Sequence, residues 1–268
     1  MTDLTDPNAK TTPSWTAVWQ LPVLLVGMAL LGVGLYLAAP RYSPPDFAAM
    51  LDTVEQYLTA GNTEEALTRL NKMSDDGIAL EGDDLRGRYH ELLGDHDWLV
   101  YADLYPVPVD TPESTAQLKK VLEAYKTAEN EHDRKLDGES MAWWAEALVL
   151  MNREDDALAI VDRMDAKDAD KRYKLIRDLI ESHRKNGDPA AFARMLDRFD
   201  RTLRDEKNKK KQLVQRQWIA EVRARHYLDV KDPQRAIDYI NREMQRLRAA
   251  GAEDAPQLLV LLGKAYQD

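Results

Sequence analysis

Apolar residues recur along most of the chain at the spacing of an α-helix. From residue 46 onward they fall three or four positions apart, so each stretch has one apolar face and one charged face. The first two stripes are Phe47, Met50, Leu51, Val54 and Leu58, and then Ala66, Leu67, Leu70 and Met73. No stretch shows the period of two that a half-buried β-strand requires. The pattern therefore predicts an all-α fold.

One segment, residues 17–39, is apolar on every side. It contains 23 residues and lies in a stretch without charge from Thr11 to Pro40, and about 20 apolar residues are enough for a helix to cross a bilayer. We predict a single transmembrane helix over 17–39, a short tail over 1–16 and a Pro-rich spacer over 40–45. A cleaved signal peptide is the alternative, although its apolar stretch should be only about 7–15 residues long.

Polar turns that resemble one another separate the predicted helices. They lie within 57–66, 150–157, 183–192 and 227–236. Asp188-Pro189 and Asp232-Pro233 each place a carboxylate acceptor before a proline at the first helical position, which is typical of helix starts. Asn62 with Glu65 three residues later predicts a capping box. Local turn chemistry thus supports a series of helix–turn–helix units over 46–268.

The turn landmarks recur at the period of a known repeat. Gly61 and Gly94 are 33 positions apart, and Asn152 and Gly187 are 35 apart. Leu262-Gly263-Lys264-Ala265-Tyr266 follows a Leu-Gly-x-x-Tyr pattern. With these features the region 46–268 resembles the tetratricopeptide repeat family. Further matching positions are Tyr57, Ala66, Leu70, Ala157, Val161, Phe192, Leu196, Phe199, Tyr227, Ala236 and Ile240. The resemblance implies a right-handed helix–turn–helix solenoid.

The repeat pattern is interrupted at two places, around 106–137 and around 200–216. We predict a short helix after Gly94 that ends at Tyr105-Pro106, a Pro-bearing connector, and a long helix from about Ser114 to Lys135. Extra charged helix is predicted between Phe199 and Gln217. The last segment is either a capping helix or the first helix of a further repeat.

Charge is unevenly distributed along the chain of 268 residues. The formal net charge is −10, but residues 46–140 hold 9 Lys and Arg against 22 Asp and Glu, whereas residues 201–250 hold 14 against 7. The acidic balance argues against nucleic-acid binding. Because a solenoid keeps sequence order in space, this polarity either steers a charged partner, promotes head-to-tail contact, or reflects only a drift in the composition of solvated helix faces. The small residues Gly34 and Ala38 on the predicted span are compatible with helix dimerisation, but ordinary transmembrane composition accounts for them better.

No residues are arranged for catalysis, for a metal or for a cofactor. His90-Glu91 begins like a zinc-protease motif, but Gly94 stands where the second histidine is needed. The chain has no cysteine and no Gly-rich phosphate loop. We therefore predict that the protein is not an enzyme and has no cofactor.

The resemblance also implies a binding groove lined by the first helix of each repeat. The repeat register places Glu139, Ala142 and Glu146 toward this groove, but Trp143 or Trp144 must also pack in the core. The main predicted groove residues are Lys174, Arg177, Glu181, Arg184, Trp218, Glu221 and Arg225. Arg177 and Glu181 differ from the Lys and Asn of the family's clamp for peptide carboxylates, so that clamp is not predicted.

The predicted function is that of a membrane-anchored scaffold or adaptor for protein or peptide partners. A self-associating membrane scaffold, a homo-oligomer, is the alternative. The layout is similar to bacterial single-pass proteins that carry tetratricopeptide domains and act in envelope assembly or secretion. Lys10 and Arg41 flank the span almost symmetrically, so the positive-inside rule discriminates weakly. We predict the bacterial inner membrane, with the C-terminal domain extracytoplasmic.

Overall fold

The computed structural model describes residues 22–31, 45–252 and 255–267. The chain divides into two units, residues 1–46 and 47–268. In the first unit, residues 22–31 form helix α1, whose large apolar side chains are exposed. None of the helices in the described residues is both long and apolar enough to cross a membrane. The remainder of the predicted span 17–39 and of the leader lies outside the described residues.

The second unit is built from helices, and its described residues include no strand. This confirms the predicted all-α fold class. The helices are α2 (Phe47–Thr59), α3 (Thr63–Asp75), α4 (Asp83–Leu104), α5 (Pro112–Asn130), α6 (Gly138–Leu150), α7 (Glu154–Arg163), α8 (Ala169–Asn186), α9 (Pro189–Arg204), α10 (Lys209–Asp229), α11 (Pro233–Ala249) and α12 (Pro256–Ala265).

Consecutive helices pack as antiparallel hairpins. The pairs in contact are α2 with α3, α4 with α5, α6 with α7, α8 with α9, and α10 with α11. The first helix of each hairpin also contacts the first helix of the next, from α2 through to α12. The buried side chains follow this order in three clusters, of which the largest extends from Trp98 to Val222. Each hairpin therefore buries its apolar face against its sequence neighbours.

The four predicted turns are confirmed and share one backbone geometry. Gly61, Asn152, Gly187 and Lys231 all have positive φ, between 57° and 76°. In each turn the next residue's N–H donates to the carbonyl five positions earlier, at 2.8–3.1 Å. This is the helix C-terminal motif that satisfies carbonyls left free at the helix end. A fifth copy, which the sequence pattern did not indicate, lies at Gly251, where φ is 81° and Ala252 N donates to Leu247 O at 2.9 Å.

Helix starts agree with the sequence at the prolines and disagree at Asn62. The carboxylates of Asp188 and Asp232 accept hydrogen bonds from the N–H groups of Ala191 and Arg235, at 2.9 and 3.1 Å. Asn62 makes no side-chain capping bond, so the predicted capping box is wrong. The N–H of Asn62 donates to Tyr57 O and is therefore not available to the Glu65 side chain, which removes one of the two bonds of a capping box.

Replacing Asp232 or Asn62 with alanine should have unequal effects on stability. Asp232→Ala should lower the free energy of unfolding by about 1 kcal/mol, because the first turn of α11 loses its side-chain acceptor. Asn62→Ala should cost less than half as much, since no side-chain bond is lost. Urea denaturation of the two variants followed by circular dichroism measures the difference. Equal losses would contradict the assignment of the caps.

The largest departure from the sequence prediction concerns α4. Gly94 was predicted to mark a turn, but it lies in the middle of α4, which continues without a break from Asp83 to Leu104. A Cβ on Gly94 would lie only 2.7 Å from Cε1 of Tyr125 on α5. Gly94 is therefore a close-packing position between two helices. The separate short helix predicted after it does not exist.

The two irregular segments are shorter than predicted. The helix expected from Ser114 to Lys135 begins at Pro112 and ends at Asn130, and the chain then turns at Asp133, where φ is 50°. Within 200–216, α9 ends at Arg204 and α10 begins at Lys209, so the non-helical junction between them is short. The second unit therefore consists of helical hairpins of unequal length.

Candidate functional site

The first helices of the hairpins (α2, α4, α6, α8 and α10) contribute one shared surface, here named the first-helix face. The predicted groove residues lie on it and contact one another. Lys174 on α8 pairs with Glu146 on α6, with 2.9 Å between Nζ and Oε1. Glu181 on α8 pairs with Arg225 on α10 at 3.2 Å. These residues therefore lie at the contacts between successive first helices.

The basic groove residues are engaged by partners within the protein. Arg184 pairs with Glu181 and with Asp229. Burial disfavours the charge of Arg184, but its hydrogen bonds to these two carboxylates raise its pKa. The guanidinium of Arg177 lies over the ring of Trp218, 5.6 Å from the ring centre. These contacts link α8 to α10.

The other predicted groove residues have similar internal partners. Arg225 also lies 3.7 Å from Glu221, and Glu221 accepts a hydrogen bond from Gln217. Glu139 pairs weakly with Lys171 at 3.5 Å, and Ala142 is buried. The predicted groove residues therefore lie close together, but their main contacts join neighbouring helices to one another.

The two adjacent tryptophans of α6 have different environments. Trp144 is buried and packs against Tyr125, with 6.1 Å between ring centres. Trp143 is half-buried and faces the first-helix surface near Glu139 and Ser140. The sequence left open which of the two tryptophans packs in the core, and the structure shows that it is Trp144.

An apolar cleft of about 390 Å³ opens on the first-helix face where α4, α6 and α8 meet. We name it the aromatic cleft; its main walls are Trp98 and Tyr101 of α4, Tyr105 directly after α4, Leu150 of α6, and Leu175 and Leu179 of α8. The three aromatic rings follow one another, with 5.6 Å between the centres of Trp98 and Tyr101 and 5.2 Å between those of Tyr101 and Tyr105. Sequence analysis missed this cleft. Its signal was the i, i+3, i+7 spacing of the aromatic residues.

The edge of the aromatic cleft is apolar on one side and acidic on the other. Leu104 and Val107, beside the lining residues Tyr105 and Pro106, are 61% and 70% exposed. On the other side, Lys174 lies between Glu146 and Asp178, 3.2 Å from the latter. The hydrogen bond to Glu146 raises the pKa of Lys174. One ammonium thus faces two carboxylates, so the edge has a net negative charge.

A second cleft, of about 430 Å³, lies on the same face between α2, α4 and α6. We name it the acidic cleft; the residues that define it are Glu91 and Asp95 of α4, Asp137 before α6, and Glu139, Ser140 and Trp143 of α6. Buried Glu91 pairs with Arg134 at 2.7 Å and accepts a hydrogen bond from the N–H of Asp137 at 3.0 Å. Glu91, from the His90-Glu91 pair, thus holds the segment before α6 against α4.

Asp95 is the most perturbed carboxyl group of the acidic cleft. Its Oδ1 accepts hydrogen bonds from Tyr125 Oη and from Ser140 Oγ, both at 2.8 Å. Burial raises the pKa of Asp95 to about 7, although both hydrogen bonds oppose the shift. Burial likewise raises the pKa of Tyr125 well above its usual value. Asp95 therefore ties α4 to α5 and α6 and titrates near neutral pH.

Both clefts offer binding surfaces, whereas the described residues offer no metal centre. No group of three or more His, Asp or Glu side chains among them could hold a metal ion. What the arrangement can do chemically is accept apolar and charged groups along one continuous face. Comparison of the chain with protein-family models, with curated proteins and with solved structures gave no match.

Proposed function

We propose that this protein is a tetratricopeptide-like repeat scaffold that binds an extended segment of a partner protein across its first-helix face. Five hairpins joined in order support the repeat assignment, as does the turn geometry shared by four of them, at Gly61, Asn152, Gly187 and Lys231, and by the junction at Gly251 between α11 and α12. In such an array each unit is stabilised by its neighbours. The fold then presents one rigid extended surface.

The observation that carries the proposal is the aromatic cleft. It is formed jointly by three successive first helices, and its walls are aromatic and aliphatic. Concave apolar sites with a few polar groups at the edge are typical of binding sites. The groove residues Lys174, Arg177, Glu181, Arg184, Trp218, Glu221 and Arg225 extend the same face toward α10 and hold its helices in place.

The proposal includes a membrane anchor over 17–39, in a bacterial inner membrane with the C-terminal domain extracytoplasmic. Anchoring would raise the effective concentration of the domain for partners at the membrane. Protease treatment of intact spheroplasts should then digest the domain over 46–268. Protection of that domain would reverse the proposed orientation.

A photo-crosslinking amino acid placed at Ala102 tests the binding surface. Ala102 is exposed and lines the aromatic cleft, whereas Ala193 is equally an exposed alanine but lies on the second helix α9. With the full chain expressed in cells, we expect crosslinked adducts at Ala102 in several-fold excess over Ala193. Equal labelling at the two positions, or no adduct at Ala102, would contradict the proposal.

The alternative is self-association through the exposed apolar surface of α12. Leu259, Val260 and Tyr266 lie in or next to α12 and are 47%, 54% and 68% exposed, an unusual density of apolar surface for a soluble face. A photo-crosslinker at Val260 that yields adducts of twice the chain mass would favour this alternative. Adducts at Ala102 alone would favour the binding scaffold.

A further inference from the structure

Helices α4 and α6 each contribute lining residues to both the aromatic cleft and the acidic cleft. On α4, Asp95 lines the acidic cleft and Ala102 lines the aromatic cleft. On α6, Trp143 lines the acidic cleft and Leu150 the aromatic cleft. Each pair is seven positions apart, which is two helical turns and the same helix face. Both clefts therefore open beside α4 and α6, with these lining residues two helical turns apart, and we refer to the stretch of α4 and α6 that joins them as the groove.

Helix geometry gives the separation of the two clefts. Seven residues at a rise of about 1.5 Å each correspond to roughly 10 Å along the helices. An extended peptide advances about 3.3 Å per residue. A peptide that lies along α4 and α6 would therefore place side chains about three residues apart in the two clefts.

The charged residues around the groove favour a cationic ligand over an anionic one. Five carboxyl groups line the acidic cleft, from Glu55, Glu91, Asp95, Asp137 and Glu139, against three basic groups, from Arg88, Arg134 and Lys135. The acids outnumber the bases whether or not Asp95 carries its proton.

The basic groups of the acidic cleft are, in addition, already paired. Arg88 contacts Asp52 and Glu55, Arg134 contacts Glu91, and Lys135 contacts Asp165. The half-buried Trp143 lines the same cleft, and an aromatic ring beside carboxylates suits a cationic side chain. An anionic ligand would meet net repulsion at both ends of the groove.

We propose that the ligand is an extended peptide segment with a large apolar side chain and, about three residues away, a lysine or arginine. The apolar side chain enters the aromatic cleft, and the basic side chain lies in the acidic cleft. This inference rests on the proposed binding function and narrows it to basic, apolar segments. Because the attraction is partly electrostatic, binding weakens as salt is added.

Defined peptides test the ligand class directly. The probes are short fluorescent peptides of Gly, Ser and Asn that carry one Phe and one Arg, spaced at i and i+3 or at i and i+1. Their binding to the full chain in neutral detergent is followed by fluorescence anisotropy. We expect the i, i+3 peptide to bind at least about tenfold more tightly than the i, i+1 peptide and than the version with Glu in place of Arg.

Two pairs of variants locate the binding. Ala102→Trp fills the aromatic cleft and should abolish binding, whereas Ala193→Trp on α9 should not. Glu139→Lys should reduce the affinity for the Arg peptide about tenfold or more. The affinity for the peptide with Gln in place of Arg should not change. Glu64→Lys makes the same charge change on the exposed surface of α3 and should have little effect. Unaltered circular dichroism confirms that each variant is folded.

The outcomes separate this inference from the proposed function. If the i, i+3 Arg peptide binds no more tightly than its Glu or i, i+1 counterparts, or if Glu139→Lys and Glu64→Lys act alike, the inference is wrong. The proposed function still stands in that case, provided that the photo-crosslinker at Ala102 captures a partner. If Ala102 captures none, both are wrong.

Discussion

Replacing Gly94 with alanine should lower the free energy of unfolding by about 1–2 kcal/mol, the overpacking cost less the helix-propensity gain. The new Cβ would lie 2.7 Å from Cε1 and 2.8 Å from Cδ1 of Tyr125, which is well inside van der Waals contact. The ring has little room to move, because Tyr125 is fully buried and its hydroxyl donates to Asp95. Overpacking of this kind typically costs about 1–3 kcal/mol. It should exceed the gain of about 1 kcal/mol that alanine normally brings within a helix.

Gly263→Ala is the matched control for this prediction. Gly263 lies within α12, and a Cβ there would meet no atom within 4 Å. The substitution should therefore be neutral or stabilise the protein by up to about 1 kcal/mol. Urea denaturation of the full chain in detergent, followed by helical circular dichroism, measures both variants. If Gly94→Ala were as harmless as Gly263→Ala, the close packing of α4 on α5 would be refuted.

Replacing Asp95 with asparagine should stabilise the protein above neutral pH by about 2–4 kcal/mol. The pKa of Asp95 is raised by burial from 3.8 to about 7 in the folded state, and each pKa unit corresponds to about 1.4 kcal/mol. Asparagine retains an oxygen that can accept from Tyr125 and Ser140. It removes the cost of burying a negative charge.

The sign of the pH dependence follows from linkage. Because the folded-state pKa is higher than the unfolded value, the unfolded chain loses the Asp95 proton first as the pH rises. The contribution of Asp95 to stability is therefore full below about pH 4, is lost progressively up to about pH 7, and changes little above that. The advantage of Asp95→Asn over the wild type should grow across the same window.

Denaturation of both proteins at several pH values between 4 and 8 measures this window. The difference between variant and wild type isolates Asp95 from the other titrating groups, and Glu64→Gln on the exposed surface of α3 serves as control. A constant difference across the range would show that Asp95 titrates normally. A loss of stability at pH 8 would show that its charge is needed by Tyr125 and Ser140.

Turn positions were predicted well because turn chemistry is local. Gly61 and Gly187 take the left-handed conformation at a helix end, and Asp188 and Asp232 accept hydrogen bonds from N–H groups three residues ahead. Each signal lies within a few residues of the structure that it specifies. At Asn62 the turn takes the N–H that a capping box would use, but the same turn bond at Asp188 and Asp232 leaves their side-chain caps intact, and nothing in the turn explains the missing Asn62 side-chain bond.

The course of α4 was predicted wrongly because the role of Gly94 is not local. A glycine in a polar stretch is typical of a turn, and only the ring of Tyr125, 31 positions later, shows that this one is a packing position. The predicted groove side chains contact one another between α6, α8 and α10. Their pairing with residues such as Asp229 depends on how neighbouring helices align.

The sequence by itself determined the helical class and four of the hairpin turns. These features follow from periodicity and turn chemistry within single helices. Only the tertiary structure decided that Trp98, Leu150 and Leu175 form one apolar cleft and that Asp95 lies against Tyr125 and Ser140. Such sites arise where helices distant in sequence pack together, and their shape and electrostatics belong to the interface between those helices.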